Sequence, residues 1–312
     1  MAGRAPRHLK APSSCWSSRF NHTSRPWARE AGAGSSGVGV TVRQSKLGVG
    51  IYGELMTADP TPAEFYDELA DEYHLIFADW DASIARQARV MTGLLRDLGL
   101  TSGAVLDASC GIGTQAIGLA RAGFSVTATD ISRASVERCA REASARGLTM
   151  ATGVADLRVL DVDGAGNFDA AVSFDNALPH LLDDADLNVA CAALRRVLRP
   201  GGVLLVSIRD YDEVLRQRPS GDVPRRYATE DGERIVFQVW DWLSDDRYTV
   251  RHFIMGGNPG RWRVTERQTT YRALPRAALT AALTRAGFED VVWQMPQETG
   301  FYQPIVAARA AG

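Results

Sequence analysis

The 312-residue chain carries 35 Lys and Arg against 37 Asp and Glu, a net charge of −2, and is 45% hydrophobic. That balance creates no broad positive field, which argues against nucleic acid as the main partner and for a small neutral or zwitterionic one. No apolar run approaches the ~20 residues a bilayer span needs, so no membrane partner is expected. Four cysteines, Cys15, Cys110, Cys139 and Cys191, form no Cys-x-x-Cys pair. They indicate neither a metal site nor a disulfide framework, and reduced thiols in a cytoplasmic protein are the expectation.

Residues 1–55 are rich in Gly, Ser and Arg, have no acid before Glu30 and no periodic apolar spacing; they read as a disordered extension. An Arg- and Ser-rich start also fits a transit peptide. An upstream extension, with Met56 as an alternative start, is the preferred reading. From Ala63 the pattern is helical, with Phe65, Leu69, Tyr73 and Ile76 three or four apart, and a second amphipathic run spans Ile84 to Leu98. Apolar strands then alternate with helices: 104–108, a glycine loop, a helix from about Gln115 to Arg121, a strand at 125–130, and a helix opened by Ser132. Strands at 156–160, 168–174 and 202–208 continue the succession, which implies a parallel sheet with right-handed crossovers.

After Asp210 the period changes to two over the runs 233–243, 247–255 and 261–271, the signature of an added antiparallel sheet. A helix at 278–287 and strands at 289–295 and 303–310 close the chain. The expected fold is α/β: a doubly wound, mostly parallel, seven-stranded Rossmann-like sheet with an antiparallel cap. The expected division is 1–55 extension, 56–210 nucleoside-binding core, 211–275 substrate-side cap, and 276–312 closing helix and strands.

The loop after the first strand, Asp107-Ala-Ser-Cys110-Gly111-Ile-Gly113, uses small residues where a ligand approaches the backbone. Asp130 ends the next strand about twenty residues on, where a carboxylate accepts the hydroxyl protons of a ribose. Gly111-Ile-Gly113-Thr-Gln-Ala116 also satisfies the dinucleotide pattern, so a nicotinamide-dependent dehydrogenase is the competing reading. Charge separates the two. An acid at the tip of the first strand repels a pyrophosphate and attracts the ammonium of S-adenosylmethionine. Asp156 and Leu157 fall where an adenine ring would reach, while Asp175 stays undecided between a loop cap and the site.

The segments VLDASCGIGTQ, GFSVTATDIS, FDAAVSFDNALPHLLDD and LRRVLRPGGVLLVSIRDYDEVL, with the closing GFYQPIVAARA, resemble the class I S-adenosylmethionine-dependent methyltransferases, and in detail the glycine and sarcosine N-methyltransferase family. The resemblance runs from about Phe65 to Arg309 and is strongest from Val105 to Leu215. It implies S-adenosyl-L-methionine as cofactor and a small amine or amino acid as methyl acceptor; another small amine or secondary metabolite is the alternative, and a non-catalytic binding module a third. A homo-oligomer stays open.

By the same resemblance Tyr73, Arg86, Cys110, Ile131 and Phe174 join Asp107, Gly111, Gly113, Asp130, Asp156 and Leu157 around the donor. Arg209, at the end of the strand after Arg-Pro-Gly-Gly, has the planar fork suited to a carboxylate. In the resembled family the matching arginine binds the substrate carboxylate, helped by the residue matching Asn176. The competing reading for Arg209 is a salt bridge to Asp210, Asp212 or Glu213. Tyr66, Tyr227 and Tyr302 are expected near the acceptor, and His180 is the nearest candidate for a base.

Overall fold

The computed structural model describes residues 60–312 apart from 231 and 259; the expected extension at 1–55, Met56 and Cys15 lie outside the described residues. The order is α1 (Pro62–Leu69), α2 (Trp80–Asp97), β1 (Ala104–Asp107), α3 (Thr114–Arg121), β2 (Ser125–Asp130), α4 (Arg133–Ala145), β3 (Ala151–Val154), β4 (Phe168–Ser173), α5 (Asp184–Val197), β5 (Leu198–Ser207) and α6 (Tyr211–Gln217). Then come β6 (Arg225–Thr229), β7 (Gly232–Trp242), β8 (Arg247–Asn258), β9 (Arg261–Arg272), α7 (Arg276–Arg285), β10 (Phe288–Gln294), α8 (Pro296–Thr299) and β11 (Ile305–Ala310).

Helix starts follow their caps. Ser132 accepts from the Ser135 N–H ahead of α4, and Asp79 and Asp183 cap α2 and α5 in the same way. Seven strands form one sheet in the order β10-β11-β5-β4-β1-β2-β3, all running in one direction except β11, which is antiparallel to both its neighbours, β5 and β10. From β1 the chain builds outward through β2 and β3, then returns to the other side of β1 at β4. That reversal opens a crevice at the carboxyl ends of β1 and β4, where ligands of such sheets bind. The central strands are apolar on both faces: Leu106, Ala171, Leu204 and Val206 pack toward α5 and α7, and Val105, Ala170, Val172 and Leu205 toward α2 and α3. Leu106 and Leu204 are fully buried, and replacing either by Ala should cost about 2–5 kcal/mol.

The second sheet is an antiparallel meander, β6-β7-β8-β9. Its Trp240, Tyr248, Val250 and Tyr271 belong to the same buried cluster as Ile208 and Tyr211 beside β5. The ends of β4 and β5 therefore lie against the cap, with aromatic side chains between.

Three expectations need correction. The third strand is 151–154, not 156–160: Asp156 starts a turn in which its backbone oxygen accepts from Val159 and Leu160, and Leu160, at φ 42°, drives its side chain into the core. The true strand, Ala-Thr-Gly-Val, is an edge with little apolar content. The first helix ends at Leu69, and Tyr73–Ile76 form a separate 3-10 turn, so Tyr66 and Tyr73 do not share one helix face. The cap has a fourth strand, Arg225–Thr229, whose polar residues and edge position leave no alternating apolar signal.

Candidate active site

Asp107 ends β1 fully buried, with Oδ1 accepting weakly from the Ser109 N–H at 3.4 Å and Oδ2 left without any partner. Burial pushes its carboxyl up to about 8. Asp130 ends β2 and fixes the glycine loop: Oδ2 accepts from the Gly111 N–H at 2.8 Å and Oδ1 from Ser132 at 2.9 Å. Burial raises its proton affinity, and these backbone donors oppose that rise. At Gly111, φ is 49° and a Cβ would point into open space. At Gly113, φ is 100° and a Cβ would stand 2.8 Å from the Cys139 sulfur. One glycine thus leaves room for a ligand, while the other is required by packing.

A cavity above this loop is lined by Tyr66, Tyr73, Cys110, Gly111, Asp130, Phe174 and Asp175, among others. The residues fit a sulfonium nucleoside: an unpartnered buried carboxylate offers itself to an ammonium, a second carboxylate lies in reach of hydroxyl groups, and the loop backbone is bare. A pyrophosphate would meet two acids here instead of free N–H groups.

At the ends of β4 and β5 the backbone turns sharply. Asp175 and Asn176 take positive φ, 57° and 75°, a left-handed conformation uncommon outside Gly, which Asp and Asn tolerate better than other side chains. The Asp175 N–H donates to Ser207 Oγ at 2.8 Å and the Asn176 N–H to the Ser207 carbonyl at 3.2 Å. Asn176 Oδ1 accepts from the Arg209 N–H at 3.1 Å, and its buried amide group faces the Tyr211 and Tyr271 hydroxyls.

Arg209 donates from Nη1 to the Tyr248 hydroxyl at 2.9 Å and from Nη2 to Gln238 Oε1 at 3.0 Å. Its guanidinium lies 4.7 Å from the Trp240 ring centre and 5.1 Å from that of Tyr271. The three acids that could have paired with it are engaged elsewhere: Asp210 and Asp212 with Arg276, Glu213 with Arg216. Among the described residues Arg209 forms no salt bridge, so its charge is free for a ligand.

Tyr66 connects the helical segment to this centre, its hydroxyl 3.1 Å from His180 Nε2 and 3.2 Å from the Tyr271 hydroxyl. Burial, reinforced by the Arg209 charge, takes the His180 imidazole down to about 3. In that state the imidazole is neutral and serves as a hydrogen-bond partner of Tyr66.

Residues 105–202 match the family described as a methyltransferase domain. Over 191 residues the chain is 32% identical to the glycine/sarcosine N-methyltransferase of Parasynechococcus marenigrum (strain WH8102), covering 60% of this chain and 66% of that protein. Over 165 residues it is 30% identical to the protein of the same description from Halorhodospira halochloris, covering 51% and 61%. The match thus spans less than two thirds of the length of either relative. The structure of the sugar N-methyltransferase KedS8 from Streptoalloteichus sp ATCC 53650 shares the fold, with a TM-score of 0.65 at 17% identity over 85% of this chain and all of that one. The chain carries a class I S-adenosylmethionine-dependent methyltransferase domain.

The methyltransferase cavity gathers Tyr66, Tyr73, Cys110, Gly111, Asp130 and Phe174 from the sequence-based candidates, with Asp107 buried at the end of β1. Ile131 follows Asp130 in the chain, is 36% exposed and does not line the cavity. Arg86 donates to Ser83 Oγ, and its charge reaches Asp175. Tyr302 donates its hydroxyl to Asp175. Tyr227 lies further out, its hydroxyl on the Ile76 carbonyl at 3.3 Å. Asp156 is gripped by Arg158, which lowers its proton affinity, and Leu157 packs on the core; neither lines the cavity.

Sequence reasoning missed Gln115, whose amide donates to Asp175 Oδ2 at 2.8 Å, and the Arg209 partners Gln238, Tyr248 and Tyr271. Their placement depends on the register of β7, β8 and β9, where Trp242 pairs with Tyr248 and Tyr248 with Tyr271. No local pattern announces it. Among the described residues no helix is long and apolar enough to cross a membrane, and no cluster of His, Cys, Asp and Glu could hold a metal.

Proposed function

We propose that the chain transfers a methyl group from S-adenosylmethionine to the nitrogen of a small amino acid such as glycine or sarcosine. The observation that carries this reading is Arg209, a cation with no carboxylate partner, set among neutral aromatic and amide groups at the edge of the site. Such a charge is costly to leave unpaired, and a bidentate carboxylate is its natural complement. The similarity to two glycine/sarcosine N-methyltransferases supports that choice of acceptor.

In this reading Asp107 takes the donor's ammonium, Asp130 the ribose hydroxyls and Arg86 the donor's carboxylate. Gly111, Gly113, Cys110, Tyr73 and Phe174 form the wall, with Ile131, Asp156 and Leu157 on the adenine side. Arg209 with Asn176 orients the acceptor's carboxylate, while Tyr66, Tyr302 and Tyr227 shape its surroundings. The core 56–210 with the closing 276–312 holds the donor, and the cap 211–275 closes the acceptor side. When bound, S-adenosylmethionine supplies a methyl on a sulfonium whose C–S electron pair stays on sulfur as the N–C bond forms. The chain's contribution is alignment and exclusion of water, which in well-oriented systems is worth about 7–11 kcal/mol.

The test is to incubate the protein and S-adenosylmethionine with glycine, sarcosine, dimethylglycine and amines lacking a carboxylate, measuring product mass. Methylation confined to carboxylate-bearing amines supports the reading. Equal rates on amines without a carboxylate contradict it.

A further inference from the structure

Asp175 is a second group that the donor and acceptor assignments leave unused. Its carboxylate is held only by neutral donors, Gln115 Nε2 at 2.8 Å and the Tyr302 hydroxyl, and among the described residues it forms no salt bridge. It lines the same cavity as Tyr66, Tyr73 and Phe174. The charges of Asp175 and Arg209 both act on the phenols of Tyr73 and Tyr302, so an unpaired acid and an unpaired cation lie within electrostatic reach of the same two side chains. Positive φ at both 175 and 176, fixed through Ser207, aims the acid into the cavity while Asn176 meets Arg209. Backbone of this kind persists where surroundings over-determine it, and it concentrates at working sites.

An amino-acid acceptor carries a carboxylate and an ammonium, and only the first has been given a partner. Resting on the function proposed above, we infer that Asp175 binds the acceptor's ammonium and accepts its proton, with Arg209 holding the carboxylate at the other end. The N–H bond breaks, an O–H bond forms on Asp175, and the electron pair left on nitrogen is free to form the new N–C bond; the proton passes to water after product release. The groups facing Asp175 suit this exchange. Burial raises its proton affinity, opposed by the Tyr302 and Gln115 hydrogen bonds and the Arg86 charge, while Tyr73 and the Asp107 carboxyl feel its charge.

The experiment compares wild type with Asp175→Asn and Tyr302→Phe, with glycine or sarcosine as acceptor. Donor affinity is measured by calorimetry, and so is acceptor affinity in the presence of S-adenosylhomocysteine. Asp175→Asn should keep donor affinity within threefold, weaken sarcosine binding at least tenfold, and lower kcat by about 100-fold or more near neutral pH. Its rate should climb with pH as the free amine replaces the ammonium. Tyr302→Phe removes a hydrogen bond that favours the charged carboxylate, so the acid limb of its kcat/KM profile should move to higher pH. An active wild type with Asp175→Asn equally fast and unchanged in pH profile overturns the assignment of Asp175 alone. Loss of donor affinity in that variant overturns it too, placing the acid in the donor site. A wild type that methylates no amino acid overturns the functional reading itself.

Discussion

The half of the site proposed for the donor and the half proposed for the acceptor are built in opposite ways. The donor half comes from one sheet edge: Asp107, the glycine loop and Asp130 span 24 consecutive positions at the tips of neighbouring parallel strands. The acceptor half is assembled between two sheets, with Arg209 beyond β5 clasped by Gln238 and Tyr248 from β7 and β8. The first keeps an unpaired acid and the second an unpaired cation, each costly to the empty protein and each matched to the opposite charge on a ligand.

The sharpest way to break this comparison is Arg209→Met, which removes the cation of the acceptor half and leaves the aromatic box. It should raise KM for a carboxylate-bearing acceptor roughly 100-fold and leave donor affinity alone. Steady-state kinetics with calorimetric donor titration checks both.

Asp107→Asn makes the reciprocal change, and donor affinity should fall about tenfold or more. Its stability effect has a definite sign. Because the folded carboxyl titrates near 8 against an ordinary value of 3.8, the folded state holds a proton that the unfolded state has already lost, and the wild type loses stability as pH rises from about 4 to 8. The melting temperature of Asp107→Asn should therefore gain on wild type across that window and level off above it. A difference that shrinks with pH would contradict the burial argument.

Gly113→Ala separates packing from ligand approach. With φ at 100° and Cys139 2.8 Å from the added carbon, it should cost about 1–3 kcal/mol of stability, seen as a lower urea midpoint. The smallest effect is expected at Asp156, already neutralised by Arg158 and away from the cavity. Asp156→Ala should change donor affinity less than threefold, and a larger loss would restore the adenine contact inferred from sequence.

The two halves also differed in legibility. Short-range rules suffice to place residues at strand tips, because alternating apolar strands and helices locate the tips; the positions of Asp107 and Asp130 at the ends of β1 and β2 were readable for that reason. Arg209 was readable as a residue but not as a free cation, since Asp210, Asp212 and Glu213 beside it looked like partners until Arg276 and Arg216 were found to occupy them. Gln238, Tyr248 and Tyr271 were invisible because antiparallel register, not local sequence, brings them inward. The misplaced third strand has a similar origin: the apolar residues at 157–160 serve a turn with Leu160 plugging the core, while the real edge strand needs little apolar surface.

The most direct test of the central claim, that the acid at the tip of β1 receives a cationic nucleoside, is calorimetric titration of the protein with S-adenosylmethionine at pH 6.5 in two buffers of different ionisation enthalpy. The account predicts binding with release of about one proton as Asp107 ionises against the donor's ammonium, and loss of that release in Asp107→Asn. Binding of equal strength in both proteins with no proton released, or binding of a nicotinamide dinucleotide in its place, would contradict it.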